Sequence, residues 1–302
     1  MSASGKVFVT GATGFVGSHV ARLLHGAGYD VFAMTRKSPD RAAPPQLESL
    51  PISWIHVESA TDAMRRNSFD AVIHLATEYG HQSRMADCVN ANVSLPLTLL
   101  QAAAENGCSL FINTDSFFGK GAFAYPYMRP YTLSKQQFAQ WGSYSASQES
   151  IQFVTLRLEH VYGEHDGKAK FVPSLIHKLL ASQNVPLTTG QQRRDFVHAQ
   201  DVANAYLTLL RTARSGASQP HEMEVGLGHS VSVKDFVELA KSLTGSHSVL
   251  EFGAVPMRQH EIVDSHANDA PLRNLGWSPQ VMLHEGLSRT IASIRSELGS
   301  KV

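Results

Sequence analysis

The stretch Thr10-Gly11-Ala12-Thr13-Gly14-Phe15-Val16-Gly17 decides how this chain is read. It follows the apolar run Val7–Val9, which reads as a strand. It opens a segment over 14–28 in which Val16, Val20, Leu23, Leu24 and Ala27 recur at three- and four-residue spacing, the pattern of one apolar helix face. The three glycines between strand and helix have separate tasks. Gly11 permits a tight turn, Gly14 lets the backbone approach a diphosphate, and Gly17 lets the helix pack closely on the strand. Free backbone N–H groups and the helix dipole then face an anion. The turn is therefore expected to cradle a dinucleotide, with Thr13, Phe15 and Val16 completing its backbone.

Working outward, short apolar runs alternate with helical patterns. Val31–Met34, Ile52–Val57, Ala71–Leu75, Leu110–Asn113 and Phe153–Arg157 are expected strands, and Val93–Ala104 and Tyr131–Ala146 expected helices. Such alternation implies a parallel sheet covered on both faces. After Gly163 the pattern is mixed, with helices expected at Pro173–Ala181, Asp201–Thr212, Val233–Leu243 and His284–Glu297 and a strand near Glu224–Gly226. The fold class is thus α/β: a doubly wound parallel sheet with a smaller C-terminal mixed α/β substrate domain. Residues 1–163 form the dinucleotide-binding part, to which the chain returns around 195–214, and 164–302 form mainly the substrate part. Arg36–Pro51, with four prolines, reads as a surface loop.

Composition narrows the function. With 302 residues, 43% hydrophobic, the chain suffices for one large α/β unit or two domains of about 150 residues. Lys plus Arg number 26 and Asp plus Glu 26, a balance that argues against nucleic acid or an anionic membrane as main partner. Two cysteines, Cys88 and Cys108, make neither a disulfide framework nor a cysteine-rich zinc site. The 15 histidines are scattered without metal-ligand spacing, so no metal is expected. No signal peptide or membrane span is legible, so a cytoplasmic enzyme is expected.

Which dinucleotide binds is read at the end of the second strand. A carboxylate there would accept from the ribose 2′-hydroxyl of NAD. This turn instead carries Arg36 and Lys37, which would attract a 2′-phosphate, so NADP is expected. Tyr131 and Lys135 lie one turn apart on a helix. A free phenol titrates at about 10, and a nearby ammonium is expected to lower that toward neutrality. Thr114, just past the fifth strand, is the expected hydroxyl donor to a carbonyl, with Ser116 the alternative.

At these residues the chain resembles the extended short-chain dehydrogenase/reductase family of Rossmann enzymes: nucleotide-sugar epimerases, dehydratases and reductases. Thr10–Gly17 looks like its cofactor loop. His74-Leu75-Ala76-Thr77 resembles its HLAA segment, which implies that Leu75, Ala76 and Thr77 line the cofactor, and Asn92 resembles its helix asparagine, which would order the helix and a relay water. Tyr131 and Lys135 match the active pair, both also touching the cofactor, with Thr114 at the Ser/Thr position. Arg157-Leu158-Glu159-His160-Val161-Tyr162-Gly163 resembles its LRxxxVYGP stretch, with Glu164 in place of the proline. Arg194, in Arg194-Asp195-Phe196-Val197-His198, and Arg258, in a segment reading Arg-Gln-His-Glu, resemble the two arginines that clamp the substrate's diphosphate. His81 and His160 are candidates to reach the sugar, against packing or exposure as their ordinary roles.

Dehydratases of the family carry Thr-Asp-Glu where this chain has Thr114-Asp115-Ser116. A serine cannot abstract a carbon-bound proton at neutral pH, so dehydration is not expected, and Asp115 and Ser116 are left as substrate contacts. The segment looks most like the hexulose reductases that make CDP-linked 3,6-dideoxyhexoses. The resemblance implies NADPH-dependent reduction of a nucleotide-linked 4-ketohexose by a homodimer. The alternatives are a 4-epimerase that retains NAD, a reductase of a non-sugar ketone, and a non-catalytic dinucleotide sensor.

Overall fold

The computed structural model describes residues 4–80, 84–120, 127–217 and 219–299. Seven parallel strands form its main sheet: β1 (Lys6–Thr10), β2 (Asp30–Thr35), β3 (Ser53–His56), β4 (Ala71–His74), β5 (Leu110–Ser116), β6 (Gln152–Leu158) and, far along the chain, β11 (Glu222–Val225). Their order is β11-β6-β5-β4-β1-β2-β3, so the chain runs outward from β1 to one edge and then to the other. The crevice at that reversal lies beyond the C-terminal ends of β1 and β4, where open α/β sheets bind ligands. The sequence places the strand around 224 in the substrate part; it is instead the edge strand of the main sheet, paired in register with β6 from Glu222↔Thr155 to Val225↔Leu158.

Both faces are covered because both faces are apolar. On one side, Val20, Ala21 and Leu24 of α1 (Phe15–Gly26) pack with Val202, Tyr206 and Leu209 of α7 (Ala199–Arg214) against Val7, Val9 and Ile112. The other side holds α2 (Ala60–Arg66), α3 (Met85–Val89), α4 (Leu95–Glu105) and α5 (Arg129–Ser147). There Met64, Leu99, Leu100 and Phe138 enclose Phe8, Phe111 and Phe153. The expected single helix at Val93–Ala104 is longer and interrupted. Pro96 cannot donate to the carbonyl four residues back, and the turn before it is wound as a π-helix over Asn90–Ser94. Leu47, within the proline-rich loop, is fully buried, so that segment is anchored to the core.

The remaining elements are β7 (His160–Tyr162), α6 (Phe171–Leu180), β8 (Val185–Leu187), β9 (Arg193–Arg194), β10 (Phe196–His198), β12 (Val231–Ser232), α8 (Val233–Thr244), β13 (Leu250–Phe252), β14 (Asp264–Ser265), α9 (Ala270–Asn274) and α10 (Leu283–Gly299). Leu175, Ile176, Phe236, Leu287 and Ile291 give α6, α8 and α10 a core of their own, in which Phe196 and Phe236 stack at 3.8 Å. Glu164, at the proline position of the family pattern, fastens this part to the main sheet. Its carboxylate lies 3.0 Å from His198 Nε2 and 3.1 Å from Arg289 Nε, and its carbonyl is 2.9 Å from His19 Nε2 on α1. Burial works against its charge, but His198, its own backbone N–H and Arg289 hold the carboxyl at about 2. That anchor fixes the loop over 164–170. Cys88 and Cys108 are unpaired and buried. Among the described residues no helix is long and apolar enough to cross a membrane.

Candidate active site

The glycine turn has the geometry its spacing predicts. Gly11 has φ +73°, and a Cβ there would stand 2.6 Å from Ala76 N. A Cβ on Gly17 would collide with the Gly11 carbonyl, whereas at Gly14 it would meet only Gly11 O, at 3.2 Å, within 4 Å. Gly14 caps α1 without any side-chain hydrogen bond, and no acidic residue occupies the first turn. The first N–H groups of α1 therefore keep their donors for a ligand. Thr10 sets the opposite wall: its Oγ1 accepts from Leu75 N and Ala76 N, both at 3.1 Å, and pairs with His74 Nδ1 at 2.9 Å. With both its lone pairs so used, the Thr10 hydroxyl donates to Nδ1. Burial, then Lys135, holds His74 neutral.

The cleft so formed encloses about 430 Å³ and is lined by Gly11, Thr13, Gly14, Phe15, Val16 and Gly17, by Arg36, and by Leu75, Ala76 and Thr77. The structure thus brings these expected cofactor residues together. Lys37 is not on the wall; its N–H donates to Thr35 Oγ1 at 2.9 Å and its side chain is exposed. Val57, Tyr79, Ala91, Leu95, Asp166 and Lys170 also line the cleft. The sequence did not single out Val57, Tyr79, Ala91 or Leu95, since nothing local marks a residue as facing a cleft made elsewhere. Dinucleotide chemistry fits: an uncapped helix end for the diphosphate, an apolar wall for a ring, and a guanidinium at the end of β2.

Tyr79 leads from the cleft to the reacting groups. Its ring lies 5.1 Å from that of Tyr131, and the Lys170 ammonium sits 4.0 Å over it. Tyr131 and Lys135 are 8% and 2% exposed. Lys135 Nζ donates to Thr114 O at 2.9 Å. Asn92, in the π-turn, ties α5 to the loop after β4. Its Nδ2 donates to Glu78 O at 2.7 Å and Ser134 Oγ at 2.9 Å, and its Oδ1 accepts from Glu78 N at 2.8 Å and Thr77 Oγ1 at 3.2 Å. All four positions of the amide are used within the chain, so it orders the helix and has none left for the expected relay water.

One expectation about the reacting groups is corrected, and two contacts are new. Thr114, the expected hydroxyl donor to a carbonyl, has its hydroxyl on Tyr206 OH at 2.7 Å. The Tyr131 phenol is not made acidic by its neighbour. Burial raises it strongly, Tyr79 and Asp115 add to the rise, and Ser116 opposes it. Lys135 is itself pushed down to about 8 by burial, against the pull of Asp115. Asp115, expected at the substrate, is 3% exposed and paired with Arg157 Nε at 3.1 Å.

On the substrate side, Arg194 is 6% exposed and already held. It pairs with Glu261 at 2.6 Å and donates to Ile262 O and Arg193 O, each at 2.7 Å. Arg258 is exposed, its guanidinium 3.9 Å over the Tyr127 ring. His160 lies against Phe196 at 4.9 Å, and its Nδ1 is enclosed without a hydrogen-bond partner. Burial, then Arg194 and Lys170, pushes His160 down to about 4, so it faces this region neutral. His81 lies outside the described residues. No group of three or more His, Cys, Asp or Glu among the described residues is placed to hold a metal ion.

A doubly wound sheet with such a cleft, and a phenol and an ammonium buried at its end, define an oxidoreductase that works with a nicotinamide dinucleotide. The model of the NAD dependent epimerase/dehydratase family matches residues 7–226, and the chain belongs to that family. It is 40% identical over 290 residues to CDP-abequose synthase of Salmonella typhimurium, covering 94% of this chain and 97% of that one. Among solved structures it is similar to UDP-glucose 4-epimerase of Thermotoga maritima (TM-score 0.83, 23% identity, 97% of this chain and 99% of that). It is also similar to the UDP-glucose 4-epimerase of Thermus thermophilus in complex with NAD (TM-score 0.79, 22% identity, 96% and 99%).

Proposed function

We propose that this protein is an NADPH-dependent reductase of the 4-keto group of a nucleotide-linked 6-deoxy or 3,6-dideoxy hexulose. The observation that carries the reading is the environment of Tyr131: a phenol only 8% exposed, its ring 5.1 Å from that of Tyr79, and held protonated by its burial. Reduction of a ketone consumes a hydride and a proton. Bound NADPH supplies the hydride. Tyr131 supplies the proton, and an environment that opposes phenolate keeps that proton in place until negative charge develops on the substrate oxygen. A 4-epimerase starts from the opposite state. It must first remove a hydroxyl proton, which needs the phenolate that burial disfavours here.

Thr114 and Ser116 supply hydroxyls at the substrate oxygen, and the Lys135 ammonium, carried on the same helix face as Tyr131, stabilises the phenolate once the proton has left. Arg36 receives a 2′-phosphate, with Lys37 adding charge. Arg194 and Arg258 hold the diphosphate, for which Glu261 must give up part of Arg194. His160 contacts the sugar as a neutral ring. The relative from Salmonella typhimurium named CDP-abequose synthase supports a CDP-linked substrate. Leu133, Trp141 and Tyr144 of α5, exposed on the described surface, support a homodimer through that helix. The test is NADPH oxidation by the purified chain against CDP-, dTDP-, GDP- and UDP-4-keto-6-deoxyhexoses. Turnover of one class is expected; absence of turnover with all four overturns the reading.

A further inference from the structure

We infer that Tyr206 is a positioning residue that turns the Thr114 hydroxyl outward as a hydrogen-bond donor to the substrate's carbonyl oxygen; the inference rests on the reductase reading above. Tyr206 is fully buried in α7, on the far side of the sheet from α5. Its side chain reads in the sequence as one more apolar position of an amphipathic helix, and a phenylalanine would serve that purpose. What the hydroxyl adds is a single hydrogen bond, to Thr114 Oγ1 at 2.7 Å.

Among the described residues it is the only hydrogen bond that either hydroxyl makes. Two hydroxyls thus share one bond and use one hydrogen between them, so one hydrogen is left over. Tyr206 has no exposure and, among the described residues, no second acceptor, and an enclosed O–H left unpaired carries the full cost of its desolvation. Thr114 keeps 9% exposure and stands at the C-terminal end of β5. Its own carbonyl is bound by Lys135, carried on the helix that also carries Tyr131. The accounting has one economical solution. The phenol of Tyr206 donates to Thr114 Oγ1, and the threonine's hydrogen is left for a partner at the partly open C-terminal end of β5. A hydroxyl that is itself accepting a hydrogen bond donates more strongly. Burial raises the Tyr206 phenol and so keeps it a donor throughout the working pH range.

The test is a double-mutant cycle in the full chain, reading kcat and KM for the 4-keto sugar per NADPH-binding site, with the melting temperature alongside. Tyr206→Phe is expected to lower kcat about 5- to 10-fold, the factor of one modest hydrogen bond, with KM within about twofold. Thr114→Val lowers kcat further, and adding Tyr206→Phe to it changes kcat by less than about twofold, because the group being oriented is gone. The double variant also melts above Thr114→Val, since the phenol stranded by valine has been removed. A purely structural Tyr206 would lower the melting temperature and leave kcat per site unchanged; that result overturns the inference alone, as does an equal loss of kcat in both backgrounds. A parent chain that binds NADPH yet reduces no sugar in the panel overturns the reductase reading and this inference together.

Discussion

Replacing Lys135 with methionine separates what this residue does for catalysis from what it costs the fold. The ammonium is 2% exposed, donates to Thr114 O at 2.9 Å, and among the described residues has no carboxylate within salt-bridge distance. Burial therefore lowers it from 10.5 to about 8. Each pKa unit is worth about 1.4 kcal/mol, so holding this charge inside costs about 3 kcal/mol in the folded state. The unfolded chain binds the proton more tightly than the folded one between pH 8 and pH 10.5. The cost is therefore fully present below pH 8 and is relieved as pH rises toward 10.5. Methionine fills a similar volume without charge and forfeits only the charged hydrogen bond to Thr114, about 2 kcal/mol. Lys135→Met is expected to gain about 1 kcal/mol at pH 7 and to melt about 2 °C higher, while kcat falls by about 100-fold or more. Thermal unfolding at pH 7 and pH 10, with NADPH oxidation, reads both effects. The gap in melting temperature should shrink at the higher pH as the parent sheds its buried charge. A variant that melts lower than the parent at pH 7, or a gap indifferent to pH, would refute the reasoning.

Three further outcomes follow from single contacts. Arg36→Glu should raise KM for NADPH about 10- to 100-fold and leave NADH use little changed, since it removes one charge-assisted phosphate contact at the end of β2; steady-state kinetics with both cofactors decide it. Asn92→Ala strands the Glu78 backbone N–H and removes one of two partners from Glu78 O, which keeps Cys88 Sγ, and from the Ser134 hydroxyl, which keeps Tyr131 O, so it should destabilise by about 1–3 kcal/mol in chemical denaturation. Parent activity as a function of pH should fall on the alkaline side with a pKa near 8, following Lys135; a limb displaced beyond pH 10 would detach that residue from catalysis.

Most of the architecture was legible because it is written locally. Strand runs such as Val7–Val9 and Leu110–Asn113 are buried on both faces and short, and α1 carries its apolar stripe beside a glycine turn whose φ and close approaches match the spacing. The unforeseen elements are those without a period to read. The strands β7, β9, β10, β12, β13 and β14 are two or three residues long, and α2 spans two turns. The strand β11 reads as a strand from its sequence, but its place in the main sheet is set by pairing with β6, about 70 residues earlier.

The site divides in the same way. Which residue types carry the chemistry was legible at Gly11, Tyr131 and Lys135. Their electrostatics were not, because a four-residue spacing says that an ammonium is near and does not say how much water has been excluded from both groups. Burial reverses the expected direction at Tyr131. Strand alternation puts Thr114 and Ser116 on one side, so sequence alone could not decide which hydroxyl meets Tyr206. The partner of Arg194 is Glu261, 67 residues away, and only folding brings them together.

The central claim, a protonated phenol and a delivered hydride meeting at a sugar ketone, is tested most directly by NADPH carrying deuterium at the transferable position. With the CDP-linked 4-keto sugar, the account predicts one deuterium at carbon 4 of the product and one NADP formed per sugar reduced. A sugar isomerised without deuterium, with the NADPH unspent, would contradict it.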